Sequence, residues 1–321
     1  MLAAGVLLLL ASAVVPSINL VRRGGLTEQD GAQQRQVHAA LVNQSRSNAG
    51  GRLLLPGLVN RRAVNGQQVP GQGDHDYSKD RTHCLYSAAV AMQLFPTALL
   101  LGPTEVNPVV RLYDSYNYAA YNPALDTYWD GDAGFGAVLP ANPVVGLRAR
   151  INSSPASTSP ADVCHVSFAH QMLIGIRRDL HWRGDVASDR PLFATRGCKN
   201  GVTTGPDYDL SPTLRLHGPS NSWEGNACFG DNHVAYVTAF SDPARTYQCG
   251  TFNGGAPWPD NMFACGGSVP TEFSGAGCME SSVTGVAAPW AGGDAMLAIH
   301  PFATNWSGVT AIPQWDALTT P

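Results

Sequence analysis

The sequence predicts an α+β protein in which a long N-terminal helix, apolar and then amphipathic, is laid on an antiparallel β-sheet head with long loops. Three observations lead there. No charged residue occurs from Met1 to Val21, and as a helix this stretch would extend about 31 Å, the depth of one bilayer core. Beyond it Leu26, Val37, Ala40 and Leu41 recur among polar residues as far as Asn48-Ala49-Gly50-Gly51, which is the pattern of a half-buried helix. After Pro56 the apolar runs become short and are bounded by Gly, Pro, Asn and Asp, as strands and long loops require. The expected division is a membrane or assembly helix over residues 1–50 and a globular head over 51–321.

Each element has its own signal. Pro16 and the pair Gly24-Gly25 predict a kinked helix, because two glycines cost about 2 kcal/mol of helix stability relative to alanine. Gln33, Gln34, Arg35 and Gln36 are expected to face water. Ser87 to Phe95 reads as a short helix capped by Ser87 and stopped by Pro96. Thr213 to His217 alternates apolar and polar side chains as a strand does. Asn226 to Gly230 and His233 to Thr238 flank Asp231-Asn232, a pair tolerant of positive φ, and predict a β-hairpin. Ala295 to His300 reads as a terminal strand.

Composition narrows the function. The 321 residues carry 20 Lys+Arg against 24 Asp+Glu, a formal charge of −4, which excludes a basic nucleic-acid binder. With 44% hydrophobic residues the chain has enough apolar material for a sizeable core. Seven cysteines are scattered with no Cys-x-x-Cys pair, which argues against zinc ribbons and thioredoxin-like chemistry. An odd count leaves at least one without an intramolecular partner. If six are paired, the sequence permits many connectivities. The apolar start has a second reading, a cleaved secretory signal with Ala11-Ser12-Ala13 as its small-residue site, although no basic residue precedes the run. Arg22 and Arg23 follow it, and the positive-inside tendency taken alone would place the C-terminal bulk inside the cell.

The chemical scan finds no Gly-x-Ser-x-Gly elbow, no His-Glu-x-x-His, no P-loop and no Gly-x-Gly-x-x-Gly, so a non-enzyme is expected. The strongest cluster is His217, Asp231 and His233. The hairpin would place Asp231 at its bend and His233 at the start of the return strand, and His217 on a neighbouring strand could complete a three-ligand divalent cation site. An ordinary turn with backbone-bonded histidines accounts for the same residues. A second set, Asp126, Asp130 and Asp132, surrounds a Gly turn in the manner of a calcium loop, and an Asx-rich turn is its plain alternative. Trp182, Trp223, Trp258, Trp290, Trp306 and Trp315 could stack on sugars, but spread so widely they are expected to fill a core.

Several segments carry a resemblance. An apolar N-terminal helix with a proline in its second half, an Arg pair, Gln36-Val-His-Ala-Ala-Leu-Val-Asn-Gln-Ser45 and Arg52-Leu-Leu-Leu-Pro-Gly57 together resemble the type IV pilin and pseudopilin class. They are most similar to the large prepilin-like proteins of planctomycete-type bacteria. Gly102-Pro-Thr-Glu-Val-Asn-Pro108, Tyr121 to Asp130, and Leu216-His217-Gly218 with Trp223 to His233 resemble the same group. Many such proteins end in a His, nine residues and Asp-Gly. Here thirteen residues separate His217 from Asp231, and Asn232 stands in place of the Gly.

The resemblance implies a pilin-like fold and a structural subunit of a filament or pseudopilus, membrane-anchored before assembly, in type II secretion-like export. Met1 would then lie inside the family's mature helix, with the processing site upstream. It further implies a single pass through the inner membrane with the head in the periplasm or an extracellular filament. Its partners would be other copies and other pilin-class subunits, a prepilin peptidase and the assembly machinery, with no nucleic acid. No cofactor is required, although an acidic loop binding Ca2+ is a trait of the class. The alternative is a secreted or anchored envelope protein whose head binds glycan or metal, including a metal-dependent hydrolase.

Overall fold

A computed structural model of the chain describes residues 2–59, 61–62, 68–69, 75–120, 147, 149, 163–219, 221–247, 257–264, 294–300 and 313–318, with side chains from residue 21 onward except at 49, 61–62, 68–69, 78, 247 and 258. Helix α1 runs from Leu2–Ser45 without interruption. The break expected at Gly24-Gly25 is absent. Neither glycine has positive φ, and the pair is bracketed by tertiary bonds. Arg23 donates to the His217 carbonyl at 2.5 Å and Thr27 Oγ1 lies 3.1 Å from His217 Nδ1. Two contacts to one residue, a helical turn apart, offset the low helix propensity between them.

The strands are β1 (Arg61–Arg62), β2 (Gln68–Val69), β3 (Phe168–Gln171), β4 (Pro191–Thr195), β5 (Gly225–Phe229), β6 (Val234–Val237), β7 (Ser241–Tyr247), β8 (Trp258–Asn261) and β9 (Leu297–Ala298). The central sheet is antiparallel with the order β6-β5-β4-β3-β9, and β1-β2 and β7-β8 form separate pairs. An N-terminal helix packed on an antiparallel sheet makes the architecture α+β. The hairpin β5-β6 pairs Cys228 with Val234 and Ala227 with Ala235. Its turn holds Gly230, Asp231 and Asn232, with Asn232 at φ 69° and its N–H donating to the Phe229 carbonyl. The third turn residue is the one that accepts the left-handed conformation.

The two faces of the sheet have different tasks. Ala169, Ala194, Ala227 and Phe229 point into a core with Trp223, Phe240 and Phe263. The opposite face receives α1, whose Val37 and Leu41 are buried in a cluster with Phe193, Trp182 and Cys228. Burying two such side chains contributes about 3–6 kcal/mol before entropy is counted. Close approach is possible because Gly31 faces the hairpin. A Cβ there would stand 3.1 Å from Val234 Cγ1. Trp182 and Trp223 are core residues, as their spread in sequence implied.

Three local expectations are corrected. Helix α2 spans Thr82–Ala91 and is buried on every side. Ser87 is therefore mid-helix, bonded to Tyr116 Oη at 2.8 Å, while the helix start is supplied by the His300 carbonyl, which accepts from Thr82 N–H. Pro212–Arg215 is a 3-10 turn rather than a strand. Ser211 caps it and Pro212 opens it, a start signal that outweighs the alternation of Thr213 to His217. The terminal strand is short, Leu297–Ala298 on β3. Cys164, Cys198 and Cys228 are free and buried, so six cysteines are not paired.

Candidate functional site

The face of α1 that meets the sheet is polar along its length. Asp30, Gln34 and His38 recur every four residues, share that face with Val37 and Leu41, and are all buried. Gln34 was expected in water. Its amide instead donates to Asp30 Oδ2 at 3.0 Å. The same oxygen accepts from Asn226 Nδ2 of β5 at 3.0 Å and lies 3.3 Å from His217 Nε2 and 3.5 Å from Thr195 Oγ1. A carboxylate only accepts, so these groups converge on it as donors. Gly102 passes so close that a Cβ would stand 2.6 Å from Asp30 Oδ1. A carboxylate 2% exposed is tolerable inside a protein only with such a donor set.

Two turns further along the helix, His38 Nδ1 donates to Asn232 Oδ1 at 3.0 Å, and its ring lies 5.8 Å from that of Phe193. Burial pushes the His38 pKa down, opposed by the Asn232 bond and the Asp231 charge. The neutral ring is the form that fits, because Nε2 is buried without a partner among the described residues. The 3-10 turn leading to His217 and the tip of the β5-β6 hairpin thus grip one helix at points eight residues, or about 12 Å, apart. A third contact closes the N-terminal end of this seam, where Arg23 Nη2 also donates to the Gly218 carbonyl at 2.6 Å.

The structure divides the His217, Asp231 and His233 set. Asp231 Oδ1 accepts from the His233 N–H at 3.0 Å and lies 2.5 Å from its Nδ1, with both side chains about half exposed. Those bonds, the main-chain one first, hold the Asp231 carboxyl below its usual pKa. The His233 ring stacks on Phe229 at 4.4 Å. His217 is buried against α1, between Asp30, Thr27 and Thr104. Among the described residues no group of three His, Cys, Asp or Glu is placed to hold a metal ion. Asp126, Asp130 and Asp132 lie outside the described residues.

A second polar cluster surrounds the start of α2. His75 Nε2 lies 2.6 Å from Asp80 Oδ2, and Arg178 Nη1 lies 3.5 Å from the same oxygen. Thr82 Oγ1 lies 2.9 Å from His170 Nε2, and His300 Nε2 lies 3.1 Å from the Asp80 carbonyl. The rings of His170 and His300 are 5.0 Å apart. Burial lowers the pKa of both, and of His83. A hydroxyl beside an imidazole resembles a nucleophile with its base, yet Thr82, His170 and His300 have no exposed surface. Three buried thiols are equally unsuited to attack, since burial pushes Cys164 and Cys228 up to about 12 and Cys198 up to about 11, leaving them protonated.

Sequence reasoning missed Arg23, Asp30, Gln34, His38 and Asn226. The signal for Asp30, Gln34 and His38 was the four-residue repeat of polar side chains in phase with Val37 and Leu41. Comparisons of the chain with family models, curated proteins and solved structures gave no match.

Proposed function

We propose that the chain is a structural subunit of the pilin class with a pilin-like fold, anchored in the inner membrane by the first half of α1 before assembly and packed through that half with other copies in a filament or a secretion pseudopilus. One observation carries the reading. A single 44-residue helix docks on the head through its second half, and among the described side chains those of residues 21–25 are exposed. The sequence ahead of Arg22 carries no charge from Met1 to Val21, and an uncharged helix of that length suits a bilayer core. Among the described residues no helix is long and apolar enough to cross a membrane, and the side chains of residues 1–20 are not among those described.

The mechanism is mechanical. Helices that pack side by side must present a fixed face, and a head on a free swivel would leave rotation undefined. Asp30-His217 and His38-Asn232 fix both the rotation of α1 and its axial position against the sheet. Polar bonds suit this task because a slip by one residue leaves buried donors unpaired. The His217…Asp231-Asn232 segment, which carries the family resemblance, then acts as a helix clamp. A prepilin peptidase and an assembly machine are the partners this reading brings with it.

Cysteine substitution along the uncharged stretch tests the reading. Leu9→Cys in envelope membranes should give disulfide-linked dimers on mild oxidation, with Gln29→Cys in the head-proximal half as comparison. Monomer alone at Leu9→Cys, in membranes holding the full chain, would overturn it.

A further inference from the structure

The most N-terminal described contact of α1 with the head sits beside the point at which its uncharged stretch ends. Arg22 and Arg23 follow Val21 directly, and Arg23 is already bonded to the His217 and Gly218 carbonyls. The next contact, Thr27 to His217, lies one turn further on. No linker separates the apolar stretch from the head. At 1.5 Å per residue the first head contact among the described side chains comes about 3 Å beyond Val21, and the headgroup layer on each side of a bilayer core is itself about 5–7 Å deep. The other end of the head is fixed as well. The loop at Arg183-Gly184 packs against Ser45 and Gly51, about 33 Å along the helix from Arg23.

The side chains at the near end have matching chemistry. Arg22, Arg23 and Arg215 are exposed. Tyr236 is 44% exposed, with its ring edge-on to His217 and its hydroxyl bonded to Glu224 at 2.5 Å. Val21 and Val106 are exposed at 75% and 45%, the latter two residues from Thr104, which touches His217. Asp30 and Glu105 are turned inward to His217 and Arg196, which leaves Glu28 and Glu224 as the outward acidic groups here against three exposed guanidiniums. Basic residues, an amphipathic tyrosine and small apolar side chains are what a headgroup layer takes up.

We propose that this end of the head, formed by Arg22, Arg23, Arg215, Tyr236 and Val106, is a lipid-facing surface seated in the headgroup layer of an anionic bilayer, so that the unassembled subunit stands on the membrane with the Arg183-Gly184 loop at its outer pole. This rests on the reading of the first half of α1 as the membrane segment, and it adds the orientation and the lipid partner of the head.

The test uses the full chain reconstituted in vesicles of three parts phosphatidylcholine to one part phosphatidylglycerol, with the phosphatidylcholine brominated high on its acyl chains. Tyr236→Trp and Val106→Trp report from the near end. Leu180→Trp, exposed at 61% beside the far loop, is the comparison. Bromine should quench the added fluorescence of both near-end tryptophans several-fold more than that of the far one, and should do so less in phosphatidylcholine alone. Using two near-end variants guards against one that misfolds. Equal quenching at all three sites in a chain that resists carbonate extraction would overturn the lipid-facing surface while leaving the anchor intact. Release by carbonate would overturn the anchor, and the surface with it.

Discussion

His217 Nε2 lies 3.3 Å from Asp30 Oδ2, joining the end of a 3-10 turn in the head to the N-terminal helix across 187 residues of sequence. Asn226 and Gln34 donate to the same oxygen. The carboxylate is therefore the hub on which helix, sheet and turn agree. Asp30→Ala would strand at least three buried donors, and loss of one partner from such a set costs about 3–5 kcal/mol. Urea unfolding of the full chain should show a loss of that size. Asp30→Asn keeps one acceptor and should lose clearly less.

The helix needs its glycine at the sheet. Gly31→Leu places a branched side chain where a Cβ alone already stands 3.1 Å from Val234 Cγ1. Overpacking of this kind costs about 1–3 kcal/mol. Hydrogen exchange at the β6 amides should quicken, while exchange in α2 stays near that of the parent.

Acid should loosen the fold. His38, His83, His170 and His300 all have pKa values below the ordinary 6.5 because burial disfavours the charged ring, with His300 near 4. The unfolded chain binds protons on these groups as pH falls through 6.5 and the folded chain does not. Stability from the neutral rings is thus present above pH 6.5 and is lost progressively down to the folded values. Unfolding midpoints in urea should fall from pH 7.5 to pH 5. A midpoint unchanged over that range would mean these rings are not buried neutral.

Thiol chemistry should be silent in the native state. Cys164, Cys198 and Cys228 are buried and free, so iodoacetamide at pH 8 should leave all three unmodified, and the same treatment in denaturant should modify each. Peptide mapping separates them from the other cysteines.

Sequence reading reached the elements whose signals are local. The hairpin was legible because Asp231-Asn232 offers a left-handed residue between two β-prone runs, and the N-terminal helix because its composition changes sharply at Arg22. The start of α2 was not legible, since its first N–H is satisfied by a carbonyl more than two hundred residues away. Gln34 was misplaced and Asp30 overlooked for a related reason. Polar side chains on an amphipathic helix normally mark the wet face, and here they mark the face that bonds to β5 and His217. The metal reading of His217, Asp231 and His233 took the right strand pair, while the turn before His217 carried that ring to Asp30.

The most direct test of the account is an intact mass and N-terminal sequence of the native protein recovered from the cell envelope. The account predicts a membrane-bound chain that keeps the uncharged helix, with a processed N-terminus ahead of it. A soluble chain beginning just after Ala13 would contradict it, since the anchor and the filament core would both be gone.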